Sequence, residues 1–152
     1  MIEKITLKFK RLDPKYNDIE LPRYHTPESA GMDIRAAIDE PITLKHGEIG
    51  LIPTSLAVEI PKGYELQVRP RSGLALHNGI IIPNSPATID SDYRGELKII
   101  IMNLGGADFV VHRGDRIAQL VISKIYHADI IETDELSQTE RGEGGFHSTG
   151  RN

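Results

Sequence analysis

The run Ala87-Thr88-Ile89-Asp90-Ser91-Asp92-Tyr93-Arg94-Gly95 sets a carboxylate, an aromatic ring, a guanidinium and a glycine within one short segment. Asp, Ser and Gly favour a tight turn, while Thr88-Ile89 before it and Glu96 to Met102 after it read as strand, so a hairpin tip is expected. Such a tip offers a proton acceptor, a ring face and backbone amides and carbonyls at one place. It suits a small polar molecule with a flat part and a charged part. The same residues would also make a plain exposed acidic turn.

Other segments carry chemistry of an anion-binding kind. Pro70-Arg71-Ser72-Gly73 follows a strand and opens a short helix, where a hydroxyl, exposed amides and a guanidinium form an anion pocket or, equally, an ordinary Ser N-cap. In Arg113-Gly114-Asp115-Arg116-Ile117-Ala118-Gln119, Arg116 and Gln119 suit phosphate oxygens, or Asp115 and Arg116 simply pair across a turn. Ala30 to Ala37 places Asp33 in a small, apolar strand, where a carboxylate needs a partner. That partner is Arg35, a more distant arginine or a hydrated metal. Arg141-Gly142-Glu143-Gly144-Gly145-Phe146-His147-Ser148-Thr149-Gly150 has glycines for close backbone approach, two hydroxyls and a charge, but not the Lys-Ser/Thr ending of a Walker A loop. The six histidines show no metal-ligand spacing and no Ser–His–Asp set.

The elements that must hold these groups are short strands. Leu56, Val58 and Ile60 alternate with Ala57 and Glu59, Pro61-Lys62-Gly63 turns the chain, and Tyr64, Leu66 and Val68 alternate with Glu65, Gln67 and Arg69; this reads as a hairpin. Further strands are expected at Ile5 to Arg11, Met32 to Ile38, Gly79 to Ile82, Leu97 to Met102, Phe109 to His112 and Ile117 to Ile125. One short helix is expected around Ser72 to His77. The fold class that follows is all-β, a β-sandwich, jelly roll or barrel. Residues 1–132 form the β domain. From Thr133 Gly, Glu, Ser and Thr dominate, so 133–152 is expected to be a flexible C-terminal arm.

The chain has 152 residues, the size of one domain, with three Phe, five Tyr and no Trp, so aliphatic side chains must fill the core. Cysteine is absent, which removes disulfides, thiolate metal sites and a Cys nucleophile and fits a reducing, cytoplasmic setting. The N-terminus alternates charge with apolarity and does not read as a signal peptide, and no run approaches the ~18 apolar residues of a membrane span. A net charge of −4 argues against a nucleic-acid polymer, whereas arginines clustered on an acidic chain suggest a small anionic ligand.

Five segments in this order and spacing resemble the trimeric dUTPase family: Ala-Gly-Met-Asp-Ile at 30–34, Pro-Arg-Ser-Gly-Leu-Ala at 70–75, Ile-Asp-Ser-Asp-Tyr-Arg-Gly at 89–95, Arg-Gly-Asp-Arg-Ile-Ala-Gln-Leu at 113–120 and Arg-Gly-Glu-Gly-Gly-Phe at 141–146. The resemblance implies a jelly-roll-like β-barrel or sandwich assembled as a homotrimer with sites at subunit interfaces, the arm of one subunit closing over the site of a neighbour. It implies hydrolysis of dUTP to dUMP and pyrophosphate with Mg²⁺. Position by position, Asp90 matches the water-activating carboxylate that also bonds the 3′-OH, and Tyr93 the ring packed on deoxyribose. Asn84 with the backbone of Thr88 and Ile89 matches the uracil reader, and Lys98 lies where its strand returns to the substrate. Arg71, Ser72, Gly73 and Gln119 match phosphate contacts, Arg141 a terminal-phosphate contact, and Phe146 the ring stacked on uracil. Asp33 corresponds to a carboxylate near the hydrated metal or in the trimer's polar network.

Two positions depart from the family pattern. His147 stands where many relatives carry Gly, and Ala87 where glycine is usual. The nearest rival is a dCTP deaminase of the same fold, but the position of its catalytic glutamate falls on Ile100 here. A non-catalytic regulatory trimer is the rival of another class, and the intact Asp90, Tyr93, Arg141 and Phe146 argue against it.

Overall fold

A computed structural model describes residues 3–145. Among them the chain forms eleven strands, one α-helix and one 3₁₀ turn. In order, these are β1 (Lys8–Arg11), the 3₁₀ turn (Pro14–Tyr16), β2 (Gly31–Arg35), β3 (Ile42–Leu44), β4 (Ile49–Pro53), β5 (Leu56–Glu59), β6 (Tyr64–Arg69), α1 (Ser72–Asn78), β7 (Ile80–Ile81), β8 (Ala87–Ile89), β9 (Lys98–Asn103), β10 (Phe109–Val111) and β11 (Arg116–Lys124).

All the pairings are antiparallel. One sheet runs β2-β11-β6-β8, a second β4-β9-β7, and two ribbons, β1-β5 and β10-β3, complete the shell. Period-2 alternation decides what each sheet buries. Met32, Ile34, Leu66, Val68 and Leu120 from the first sheet meet Ile52, Ile80, Ile99 and Ile101 from the second in one continuous aliphatic core. Each such side chain stabilises the fold by about 1.5–3 kcal/mol when taken fully out of water. The strict alternation breaks once in β11, where the register shifts between Arg116 and Ala118 and the adjacent Ile117 and Ala118 are both buried. A bulge there lets two successive residues face the core. The architecture is all-β, as the strand pattern leads one to expect, and of the jelly-roll type that the resemblance implies.

Two expected hairpins are corrected. β5 pairs with β1, whereas β6 pairs with β11 and β8, so Pro61-Lys62-Gly63 is a corner between sheets. Leu56, Ala57 and Val58 are buried in succession, so β5 is covered on both faces and does not present one apolar side to a hairpin partner. Gly63, at φ 86°, supplies the left-handed residue of the corner. Likewise β8 and β9 belong to different sheets, so the segment around Asp90 crosses between layers. β3 and β4 went unread because Pro41, His46-Gly47 and Pro53 punctuate them within a few residues. β1 and β2 are shorter than expected, and α1 matches the reading with one more residue.

Candidate active site

The outward face of the four-stranded sheet carries the arginine-rich half of the candidate site. Asp33 on β2, Gln119 on β11 and Arg69 on β6 are direct cross-strand neighbours. Beyond Arg69 the chain leaves the sheet through Pro70 and Arg71 into α1. Gln119 Nε2 donates to the Pro70 carbonyl at 2.9 Å, and Arg71 Nε donates to Asp33 Oδ1 at 3.0 Å. Arg71 Nη1 also donates to the Arg116 carbonyl, while Arg116 Nη1 donates to Asp33 Oδ2 at 3.1 Å. His25 Nε2 lies 3.2 Å from the same oxygen. One largely buried carboxylate thus aligns two guanidinium groups with five donors each, leaving excess positive charge and spare N–H groups beside the exposed Ser72 and Gly73. A β-carbon at Gly31 would overlap Gln119 Oε1, so glycine there makes room for that amide. An open groove of about 260 Å³ beside Arg71 and Arg116 is floored by Leu74, Phe109, Val110 and Ile117.

The fold decides between the local alternatives. The partner of Asp33 is a distant pair of arginines; Arg35 instead donates to Glu20 and to the Gly114 carbonyl. Asp115 accepts from the His112 N–H and makes no ion pair with Arg116. Ser72 is the first residue inside α1: the N-cap is Arg71, with extended backbone and no side-chain cap bond.

The second half is the crossing from β7 through β8 to β9. Asn84 is exposed in a turn closed by Ser85 N–H on the Ile82 carbonyl, and the Ser85–Pro86 peptide is cis. Thr88 and Ile89 follow on β8, paired with Gln67 and Leu66. Asp90 is exposed, and its carboxylate makes no hydrogen bond or ion pair among the described residues. The backbone then tightens, Tyr93 N–H donating to the Asp90 carbonyl at 3.1 Å. Arg94 Nη1 donates to the Ser91 and Tyr93 carbonyls at 2.8 Å each. Tyr93 is 44% exposed, and its hydroxyl donates to the Glu96 carbonyl at 3.1 Å. Lys98 opens β9, with its ammonium 3.6 Å from Glu96 Oε2.

Arg141 is exposed and donates from Nε to the Gly144 carbonyl at 2.7 Å. Phe146, with the rest of 146–152, lies outside the described residues. Sequence reading missed His25, which meets Asp33 only through the fold, and Glu96, whose neighbourhood with Ser55 spans 41 residues. Among the described residues no cluster of three or more His, Cys, Asp or Glu side chains is placed to hold a metal ion.

Fold and site define an all-β protein with two arginines anchored on one carboxylate at a sheet face and, on a crossing loop, an unengaged carboxylate at Asp90 joined through its backbone carbonyl to Tyr93. The dUTPase family model matches residues 17–150. The deoxyuridine 5'-triphosphate nucleotidohydrolase of Rickettsia bellii is 55% identical over 144 residues, covering 95% of each chain. The dUTPase of Staphylococcus bacteriophage 80alpha with dUPNHPP superposes with a TM-score of 0.84 at 30% identity, covering 97% of this chain and 99% of that one. The dUTPase mutant from phage phi11 of S. aureus, described with a structural Mg(II) ion, gives a TM-score of 0.76 at 26% identity, covering 88% and 100%. The chain belongs to the dUTPase family.

Proposed function

We propose that the chain is a dUTP diphosphatase, hydrolysing dUTP to dUMP and pyrophosphate. The observation that carries the reading is the unengaged Asp90 carboxylate beside Tyr93, within a chain of this family. Asp90 takes a proton from the attacking water, a contribution typically worth ~10²- to 10⁴-fold. Tyr93 packs on deoxyribose and leaves no room for a 2′-OH. Asn84 and the Thr88–Ile89 backbone read the uracil edge, and Lys98 supports them from β9. Uracil offers an N3–H donor and an O4 acceptor where cytosine reverses both, so a mismatch leaves buried groups unpaired at roughly 1–3 kcal/mol each. Arg71, Ser72 and Gly73 receive the phosphates, and Gln119 serves them by holding Pro70. Arg141 binds the terminal phosphate and Phe146 stacks on the base, both carried by the arm of residues 133–152 as it closes over a neighbouring subunit.

Both oxygens of Asp33 are engaged by Arg71 and Arg116, so the residues fit a Mg²⁺ held mainly by the triphosphate and its waters, with Asp33 reaching it only through water. Bound there, the ion would neutralise phosphate charge. A homotrimer is supported by the outer face of β4-β9-β7, where Ile49, Leu51, Ile81, Ile100 and Met102 share one side, with Ile49 62% and Leu51 56% exposed. The role extends to a cytoplasmic enzyme that keeps dUTP low and supplies dUMP for thymidylate synthesis. Incubation with dUTP, dCTP, dTTP and UTP plus Mg²⁺, with product identification, tests the reading. Pyrophosphate and dUMP from dUTP are expected; deamination of dCTP, or binding without turnover, overturns it.

A further inference from the structure

We infer that Glu96 is a positioning residue that fixes the Tyr93 ring and so sets discrimination between deoxyribose and ribose nucleotides; the inference rests on the dUTP reading above. With 44% of Tyr93 exposed, burial alone does not hold the ring. Two local features hold it instead. Gly95 carries no β-carbon, and one built there would overlap Tyr93 Oη and Cζ. The Tyr93 hydroxyl donates to the Glu96 carbonyl at 3.1 Å, so the ring follows wherever that peptide goes.

The peptide is in turn fixed from the β4–β5 corner. Ser55, at φ 54° and 6% exposed, donates its backbone N–H to Glu96 Oε1 at 2.9 Å. Ser55 is itself pinned, its carbonyl accepting from Leu12 N–H at 2.9 Å and its Oγ from Asp13 N–H at 3.1 Å. The next residue is clamped as well: Leu97 N–H donates to the Leu56 carbonyl at 2.8 Å, and Thr54 Oγ1 donates to the Leu97 carbonyl at 2.6 Å. The Leu97 N–H belongs to the same peptide as the Glu96 carbonyl, so that peptide has two anchors on the corner, the backbone bond to Leu56 and the Glu96 carboxylate on the left-handed Ser55; the first holds it in the sheet and the second sets its tilt beneath Tyr93. The other carboxylate oxygen of Glu96 faces Lys98 at 3.6 Å. Removing the carboxylate strands the Ser55 N–H without its acceptor and leaves the 96 peptide on the Leu56 bond alone, free to tilt about it.

The test compares wild type, E96A and E96Q for dUTP and UTP turnover, with thermal unfolding to confirm folding. In E96A the ratio of kcat/KM for dUTP over UTP should fall by about tenfold or more, chiefly through a raised KM for dUTP, since displacements of about 1 Å at a site carry effects of this order. E96Q keeps an oxygen for the Ser55 N–H and should restore most of the ratio. An unchanged ratio in folded E96A, or E96Q as poor as E96A, overturns the inference while leaving the dUTP reading intact. If E96A does not fold, E96D, which shortens the reach to Ser55, replaces it with a smaller fall expected. Wild type without dUTP hydrolysis overturns the reading itself. The latch is also read without nucleotide: the Tyr93 ring resonances should move in E96A, and unmoved resonances overturn the inference whatever the assay gives.

Discussion

Asp90 and Arg71 lie at opposite ends of β6. Asp90 follows Ile89, which pairs with Leu66, and Arg71 stands five residues beyond Leu66. At about 3.3 Å per residue the two are separated by roughly 17 Å within one subunit. On the proposed trimer with shared sites, the Asp90 and Arg71 of one site come from different subunits. Two inactive variants, D90N and R71Q, are therefore expected to complement when co-assembled, with about a quarter of the sites receiving both intact groups under random mixing. Steady-state turnover of the mixture checks this; no recovery would place both residues in one subunit's site.

Asp90 is the exposed carboxylate of the crossing loop. D90N keeps its shape and removes the proton acceptor, so turnover should fall by about 10²- to 10⁴-fold with nucleotide affinity largely kept. Single-turnover hydrolysis and binding of a non-hydrolysable dUTP analogue separate the two effects. Near-normal turnover would assign the base elsewhere.

Much of this was readable in the sequence, for physical reasons that differ by residue. Arg71, Asp90 and Tyr93 sit in turn-rich segments whose composition is itself chemical, and the alternation of β6 gives its buried face directly, whereas β9 is apolar from Ile99 to Met102 and its buried face shows only in the fold. Pairing was not readable, because a corner and a hairpin use the same turn residues; Pro61-Lys62-Gly63 looks alike in both. Asp33 showed its need for a partner but not which one, since Arg71 and Arg116 are 38 and 83 residues away. Glu96 gave no signal at all: its meaning depends on Ser55, brought up from the other side of the molecule.

The Asp33 anchor should be required for phosphate binding. D33N leaves one neutral oxygen for two guanidinium groups that each held a charged one, costing roughly 1.5–3 kcal/mol per charge-assisted bond weakened. The KM for dUTP should rise by at least tenfold, and the inhibition constant for pyrophosphate with it. An unchanged pyrophosphate constant would show that the arginines align without Asp33.

Truncation after Glu140 should leave a folded β domain, because the last strand ends at Lys124 and the removed residues are Gly-rich. Turnover should nevertheless be mostly lost, with Arg141 and Phe146 gone. F146A alone should cost about 1–3 kcal/mol, the range for an aromatic stacked on a base. Circular dichroism and the dUTP assay on the same samples check both halves; full activity would reduce the arm to a tail.

Asp39 accepts from Lys15 Nζ and from the Tyr16 hydroxyl, and these bonds, Lys15's first, hold its carboxyl below the usual range. A lowered folded-state pKa gives stability that is present above the unfolded value of about 4 and lost as pH falls through the folded one. D39N should thus flatten the acid limb of the stability curve below about pH 4, and leave the relative pH dependence near neutrality unchanged. Chemical denaturation across pH 2–7 measures it; an identical acid limb would mean the cluster is fully screened.

The loop carrying Asn84 to Lys98 is slung between two stacked sheets, Ala87 and Leu97 being buried where it leaves one layer and joins the other. On the proposed function, the segment that meets the pyrimidine therefore takes its position from the spacing of the layers. Mutational drift in the interior, at Ile82 or Ile99 for instance, reaches substrate choice without altering any residue that touches substrate. Single methyl groups of the interior then act as shims beneath the loop, setting its height above the sheet.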